Sequence, residues 1–352
     1  MKYSSLIPIL AAVLLLAGGP AAAGPEARVQ AFRKALSEKA AAAEAMTVIG
    51  KDGWLFPANE LRHISVGPFW GESAQKVSRA SRADRKDPLA AIVAYHQACK
   101  AAGIELILLP VPAKSVVYPD MITDLPAPAP AGQGKRMDTA HQQFYKILGE
   151  KGVRVLDITD DLIAARAAGE KVYCKTDAHF SPVACRIAAK KLAEHMGKPD
   201  WLKDAKALAI ETARKEFKIT GDLIATLPPG KKMAQEQLAA RFVHQAGTDQ
   251  PVDDDESSPV LILADSHGLV YHIGDDMHVK GAGLVDQLVA ELGIGVDLIA
   301  ARGSAATPVR ITLYRKGARD ANYLAAKKVI VWCFTVREFT ETSGWAKIPL
   351  KR

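Results

Sequence analysis

An α/β sandwich built on a mostly parallel sheet is the fold class this sequence predicts, and three observations predict it. Short apolar runs of strand length, bounded by Gly, Pro or turn residues, recur along the chain. Amphipathic runs of helical length alternate with them, the order of βαβ units. Two of those helices open on a cap-plus-proline pair, Asp87-Pro88 and Ser181-Pro182. The 352 residues are 49% hydrophobic and 24% charged, which suits a folded protein with a sizeable core.

The elements follow in order. Lys2, the apolar run Leu6 to Ala17 and the small residues Ala21-Ala22-Ala23 read as a secretory signal over residues 1–23. The run is shorter than the roughly 20 residues of a membrane span; an uncleaved anchor is the alternative reading. The remaining residues, 24–352, are expected to be exported and soluble. Pro25 to Ala45 reads as a helix with Val29, Phe32 and Leu36 on its apolar side. Asp52-Gly53, between two apolar pieces, marks a hairpin turn. The basic run Arg79 to Lys86 reads as a solvated face. Asp87-Pro88 opens a helix that continues to Gly103, and Ile104 to Pro110 is a buried strand.

Pro126 to Gly134 is a Pro/Ala linker, followed by a helix carrying Met137, Phe144, Ile147 and Leu148. Val153 to Asp157 is a strand and Asp160 to Ala168 a helix. Residues 200–258 break the alternation and read as an insertion or a cap on the sheet, with a strand over Ala209 to Ile219 and a helix over Met233 to Gln245. Order returns with a strand over Pro259 to Ala264, a helix over Ala282 to Leu292 and a strand over Val296 to Ala300. Thr307 to Lys327 is mostly helical, and Val329 to Phe334 is a final buried strand.

Charge and cysteines narrow the function. Lys and Arg exceed Asp and Glu by 46 − 39 = 7, which fits an anionic polymer partner as well as general solubility. The basic residues are scattered rather than interleaved with aromatics, which argues against nucleic acid as a partner. Export leaves Cys174–Cys185 and Cys99–Cys333 open as disulfides, with four unpaired buried thiols the alternative.

The chemistry centres on Thr176-Asp177-Ala178-His179-Phe180-Ser181-Pro182. A carboxylate and an imidazole two residues apart do not share a helix face, but they can converge in a loop. Ser181-Pro182 starts a helix immediately afterwards, which makes the segment a loop before a helix. The strand ending at Ala264 runs into Asp265-Ser266-His267-Gly268, which puts the Ser266 hydroxyl in a tight turn beside backbone N–H groups. Serine requires a base, and the base a carboxylate; Ser266, His179 and Asp177 supply the three roles. The competing reading makes Ser266 a capping serine and His179 a surface histidine. His267 is a rival base, and Cys174, Asp177, His179 and Cys185 carry donor types that zinc accepts, although at no standard spacing. Asp275, Asp276 and His278 read as a polar turn.

Five stretches, in order, resemble the alginate O-acetyltransferase AlgX/AlgJ-like family of SGNH hydrolase-like proteins. They are Gly50 to Phe56, Leu109 to Lys114 with Val117-Tyr118-Pro119, Thr176 to Pro182, Ala264 to His267, and Trp332 to Arg337. The chain departs from the family pattern at Ala264, where Gly is usual, at Phe180 for Trp, and at Cys333 for Glu. The resemblance implies a single SGNH-like three-layer domain over residues 24–352, with Asp and His ahead of Ser in the chain. It implies Ser266 as nucleophile, His179 as base and Asp177 as its orienting carboxylate. It also implies a periplasmic acetyl transfer to the hydroxyls of an exopolysaccharide, with a membrane-bound O-acyltransferase as acetyl donor. Acyl transfer of this kind requires no metal or organic cofactor. A secreted esterase with the same triad, or a non-catalytic polysaccharide-binding subunit, are the rival functions.

Overall fold

The computed structural model describes residues 24–128 and 136–350. Residues 1–23, which read as a secretory signal, and residues 129–134 of the expected Pro/Ala linker lie outside them. The chain begins with α1 (Pro25–Ala41), which buries Val29, Phe32 and Leu36 as its spacing predicts. Strands β1 (Thr47–Ile49) and β2 (Leu55–Pro57) pair antiparallel. Their turn holds Asp52 at φ 49° and Gly53 at φ 74°, the positive angles a tight hairpin demands. Helices α2 (Ala58–Ser65), α3 (Glu72–Val77) and α4 (Pro88–Ala101) follow. Asp87 caps α4 by accepting from the Leu89 N–H at 2.9 Å.

Next come β3 (Glu105–Val111), the short α5 (Lys114–Val117), α6 (Thr139–Glu150), β4 (Arg154–Val155) and α7 (Thr159–Ala167). Ser181 caps α8 (Pro182–Met196), accepting from the N–H groups of Val183 at 3.2 Å and Ala184 at 3.4 Å. After α9 (Asp200–Asp204), β5 (Ile210–Ile219) and β6 (Glu236–Gln245) form a ten-pair antiparallel hairpin. The rest alternates: β7 (Val260–Ala264), α10 (Leu284–Leu292), β8 (Asp297–Ala300), α11 (Pro308–Arg319), α12 (Ala321–Ala326), β9 (Val329–Thr335) and α13 (Glu338–Glu341).

Five strands form one parallel sheet in the order β4-β3-β9-β7-β8. Its three central strands are almost wholly buried because helices cover both faces, hence their unbroken apolar sequences. The last strand in the chain sits in the middle, with Val329–Thr335 registered on Glu105–Val111 and Val329–Cys333 on Val260–Ala264. The carboxyl ends of β3, β9 and β7 therefore lie side by side.

Two expectations change. Met233 to Gln245 is not a helix: residues 236–245 are strand β6. Its Ala, Glu and Gln favour a helix locally, but ten cross-strand pairs and the burial of Leu238, Ala240 and Val243 decide otherwise. Gln287 of α10 fixes the outcome, exchanging hydrogen bonds of 2.7 Å with the Arg241 side chain and carbonyl. The four cysteines are free buried thiols, so neither open disulfide pairing is formed. Burial pushes the Cys99 thiol up to about 12.

Trp332 fills the centre of the core and donates its indole N–H to the Ala305 carbonyl at 3.0 Å. The Arg310 guanidinium lies 4.8 Å over its ring. Trp332→Ala is expected to lower stability by about 3–5 kcal/mol, read from chemical denaturation midpoints at unchanged slope.

Candidate active site

Ser266 opens a single 3-10 turn, Ser266–Gly268, directly after β7. The turn is tied to the sheet through Asp265, whose carboxylate accepts from the His267 N–H and the Thr335 N–H, both at 2.8 Å. Burial opposes the ionisation of Asp265, but the His267 imidazole and these N–H groups hold its carboxyl below the ordinary value. Gly268 allows the close fold-back: a Cβ there would collide with the Ala264 methyl. As the first residue of the turn, Ser266 has no acceptor for its N–H within it.

The Asp177/His179 loop arrives from the other side, between α7 and α8. A bridge between Tyr173 and Phe180 and the Ser181 cap hold its two ends. Asp177 Oδ1 accepts from the His179 backbone N–H at 2.9 Å and from its Nδ1 at 2.7 Å. A spacing of two thus works because the ring folds back onto the carboxylate within a turn. With Nδ1–H donated to Asp177, Nε2 carries the lone pair, and the Ser266 hydroxyl donates to it at 2.7 Å. The structure therefore brings all three sequence-predicted residues together in one chain of hydrogen bonds.

Electrostatics follow from burial and partners. Asp177 is fully buried, which by itself would raise its pKa; the imidazoles of His179 and His278 outweigh that and hold it well below the ordinary range. Burial would lower His179, but the charge and hydrogen bond of Asp177, with Asp222 behind them, raise it above 6.5. The pair is thus a strong base held against a persistent anion.

Other residues complete the site that the sequence did not single out. Asp177 Oδ2 accepts from the Asp222 N–H and from His278 Nε2, each at 2.9 Å. Asp222 in turn accepts from the Ala178 N–H at 2.7 Å. Burial and the charge of Asp177 raise its pKa. Gly221 lies so close to the Thr176 carbonyl that a Cβ would collide with it. Glu236 of β6 accepts from the N–H groups of Lys175 at 2.7 Å and Thr176 at 3.2 Å. Lys114, wholly buried, donates to the carbonyls of Leu55, Lys175 and Asp177 at 2.6, 3.0 and 3.1 Å. Burial pulls its ammonium down to about 8. Lys114 stood in a quoted motif without a role and His278 in what read as a polar turn, whereas Asp222 and Glu236 carried no local signal.

The rival constellations do not assemble. His267 is bonded to Asp265 at 3.0 Å and stacked on Phe180, and its Nε2 has no partner among the described residues. Cys174 instead contacts the Tyr271 hydroxyl at 3.0 Å, and Cys185 is buried within α8. The donors that do converge are Asp177, His179 and Asp222, within 4.8 Å of one another. Asp177 and His179 are already engaged with each other. A groove of about 890 Å³ adjoins the loop at Ala178 and Asp222, with Arg62, Arg79, Arg337 and Glu341 in its walls.

Residues 47–335 match the family described as SGNH hydrolase-like domain, acetyltransferase AlgX. A "Probable alginate O-acetylase AlgJ" of Pseudomonas fluorescens is 26% identical over 227 residues, covering 62% of this chain and 52% of that protein. Its counterpart in Azotobacter vinelandii is 22% identical over 240 residues, covering 67% and 56%. The chain thus spans about half the length of the curated relatives it matches. The O-acetyltransferase domain of Pseudomonas putida AlgJ superposes with a TM-score of 0.61 at 22% identity, covering 85% of this chain and 94% of that one. Pseudomonas aeruginosa AlgX gives 0.54 at 15% identity, covering 82% and 62%. These likenesses establish the SGNH-like fold.

A base works only when neutral, and His179 stays protonated to a higher pH than an ordinary histidine. Labelling of Ser266 by a fluorophosphonate is therefore expected to rise with pH through a midpoint above 6.5. In Asp177→Asn the midpoint should fall and the plateau rate drop roughly 10³–10⁴-fold, as followed by intact-protein mass spectrometry.

Proposed function

Because the chain belongs to the SGNH hydrolase-like domain family of the acetyltransferase AlgX, we propose that it is a polysaccharide O-acetyltransferase working through an acyl-serine. The observation that carries the reading is the unbroken line from Asp177 through His179 to the Ser266 hydroxyl. In the first half-reaction Ser266 Oγ attacks the acetyl carbonyl of the donor while His179 Nε2 takes its proton. The tetrahedral intermediate collapses, the donor's leaving group departs with that proton, and acetyl-Ser266 remains. In the second, His179 takes a proton from a sugar hydroxyl, whose oxygen attacks the acetyl carbonyl. Collapse releases the sugar ester and returns the proton to Ser266. The Ser266 N–H at the start of its turn is the natural donor to the oxyanion in both intermediates.

Three features support the details. Ser266 keeps only 7% of its surface exposed, which suits a small acyl group such as acetyl. The groove beside Ala178 is large enough for sugar units of an acceptor chain. Among the arginines of its walls, Arg62 and Arg79 face Glu341, whereas Arg337 Nη1 has no hydrogen-bond partner among the described residues. The net charge of +7, with the arginines in the groove walls, favours an anionic exopolysaccharide. Export by residues 1–23 to the periplasm, and acetyl supply by a membrane-bound O-acyltransferase, complete the proposal. Among the described residues no helix is long and apolar enough to cross a membrane. A purely scaffolding role would leave the Ser–His–Asp geometry without a use.

The test is a mass-spectrometric time course with a small activated acetyl ester. Wild type is expected to show a transient adduct of roughly 42 daltons on the Ser266 peptide, and Ser266→Ala none. Anionic oligosaccharides should then accept the acetyl group faster than water does. Release to water alone would make the protein an esterase, and no adduct would remove the acyl-serine altogether.

A further inference from the structure

We propose that His278 is a positioning residue for acyl transfer: it holds the far oxygen of the Asp177 carboxylate, so that the near oxygen keeps His179 aimed at Ser266. This rests on the Ser266–His179–Asp177 reading above and extends it to a second imidazole on the same carboxylate.

A carboxylate offers about four acceptor sites, and Asp177 uses them as two pairs. Oδ1 serves His179 twice, while Oδ2 serves the Asp222 N–H and His278 Nε2. The Asp222 N–H belongs to the backbone and would remain in any side-chain variant. His278 is the side chain that determines how the carboxylate plane is turned. Because it donates through Nε2, it also draws on the negative charge that His179 relies on.

Backbone strain supports the assignment independently. Four non-glycine residues among those described have left-handed φ, and three of them, Tyr271 (60°), Asp275 (53°) and His278 (75°), lie in one eight-residue stretch. The fourth, Asp52, belongs to a hairpin turn that calls for such an angle. His278 combines φ 75° with ψ −109°, outside the small left-handed well that side chains tolerate. Strain of this kind persists where the surroundings over-determine it, and it gathers at functional sites. Here the surroundings are the Tyr271 N–H to the Met277 carbonyl at 2.8 Å, and the Ala282 N–H to the Tyr271 carbonyl at 2.8 Å. The Tyr271 ring lies 5.4 Å from that of His278, and its hydroxyl is anchored on Cys174 beside the Asp177 loop.

The stretch therefore leaves the nucleophile's turn and returns its last side chain to the carboxylate, 101 residues away in sequence from Asp177. Ser266 and the Asp177/His179 loop are joined twice, once through His179 and once through His278. The charged and titratable groups around His278 are Asp177, with Asp222 and His179 across it, and Tyr271 with Cys174. Asp275, Asp276 and Lys280 belong to its own loop.

The experiment compares wild type, His278→Gly and His278→Gln in the pH dependence of Ser266 labelling by a fluorophosphonate, with thermal unfolding recorded alongside. Glycine suits the backbone and removes the donor; glutamine places a neutral N–H at a similar reach. His278→Gly is expected to lose on the order of 10²-fold in plateau rate, with the midpoint moved up because Asp177 then gives more of its charge to His179. His278→Gln should recover most of the plateau. Should the glycine variant fail to fold, His278→Asn, which like histidine keeps a Cβ and a polar side chain but falls short of Asp177, is expected to show the same loss.

A folded glycine or asparagine variant with the wild-type profile overturns the proposal. So does an equal loss in the glycine and glutamine variants with no midpoint shift, which would mark a merely structural loop. Wild type that is not labelled at Ser266 overturns the triad reading and this proposal together. Ser266-dependent labelling that ignores His278 overturns this proposal alone.

Discussion

The buried carboxylate of Asp177 is the constraint on which the site depends. An ion with no exposed surface is costly unless every lone pair is answered. Its answers come from the chain itself two residues on, from Asp222 in the segment before β6, and from His278 in the loop after Ser266. Each donor must be delivered by a different stretch, so the carboxylate acts as a joint for the fold as well as a partner for His179. Lys114 does the same from behind: its ammonium gathers three carbonyls, of which two belong to this loop and one to β2.

The sheet provides the other half of the geometry. Placing β9 between β3 and β7 brings three carboxyl ends together, the side on which α/β sheets build their sites. Asp265 binds the Thr335 N–H at the end of β9, so the Ser266 turn is fastened to the buried central strand of the sheet. Ser266 is accordingly on a rigid support, whereas His179 sits on a loop that has to be held from several sides. That division explains why so many hydrogen bonds converge on residues 174–179 and so few on Ser266 itself.

The hairpin β5–β6 has a part in the same economy of donors and acceptors. It departs from the sheet's alternation, but Glu236 at its second strand caps the N–H groups of Lys175 and Thr176. Asp222, in the connection between its strands, reaches Asp177 and Ala178. What reads as an insertion is a clamp on the Asp177/His179 loop. The groove runs past this clamp, with Ala178, Asp222, Leu223 and Thr226 in its wall.

Much of the fold was legible in the sequence, because its signals are local. Strands buried on both faces announce themselves as apolar runs, and Asp87 and Ser181 announce their helices through caps that bond within three residues. The Asp177–His179 contact is equally local; the strand-end turn at Ser266 offered the serine that such a pair requires, and the resemblance of five ordered motifs pointed to the same three residues. Strand β6 was misread because its composition favours a helix, and only the ten pairs with β5 make it a strand. Asp222 was missed and His278 read only as part of a polar turn, because their partner lies 45 and 101 residues away. By itself, then, the sequence determined the elements, the caps and the residue types of the site. The tertiary structure alone decided which distant donors satisfy a buried charge, because that demand exists only once the chain has closed around it.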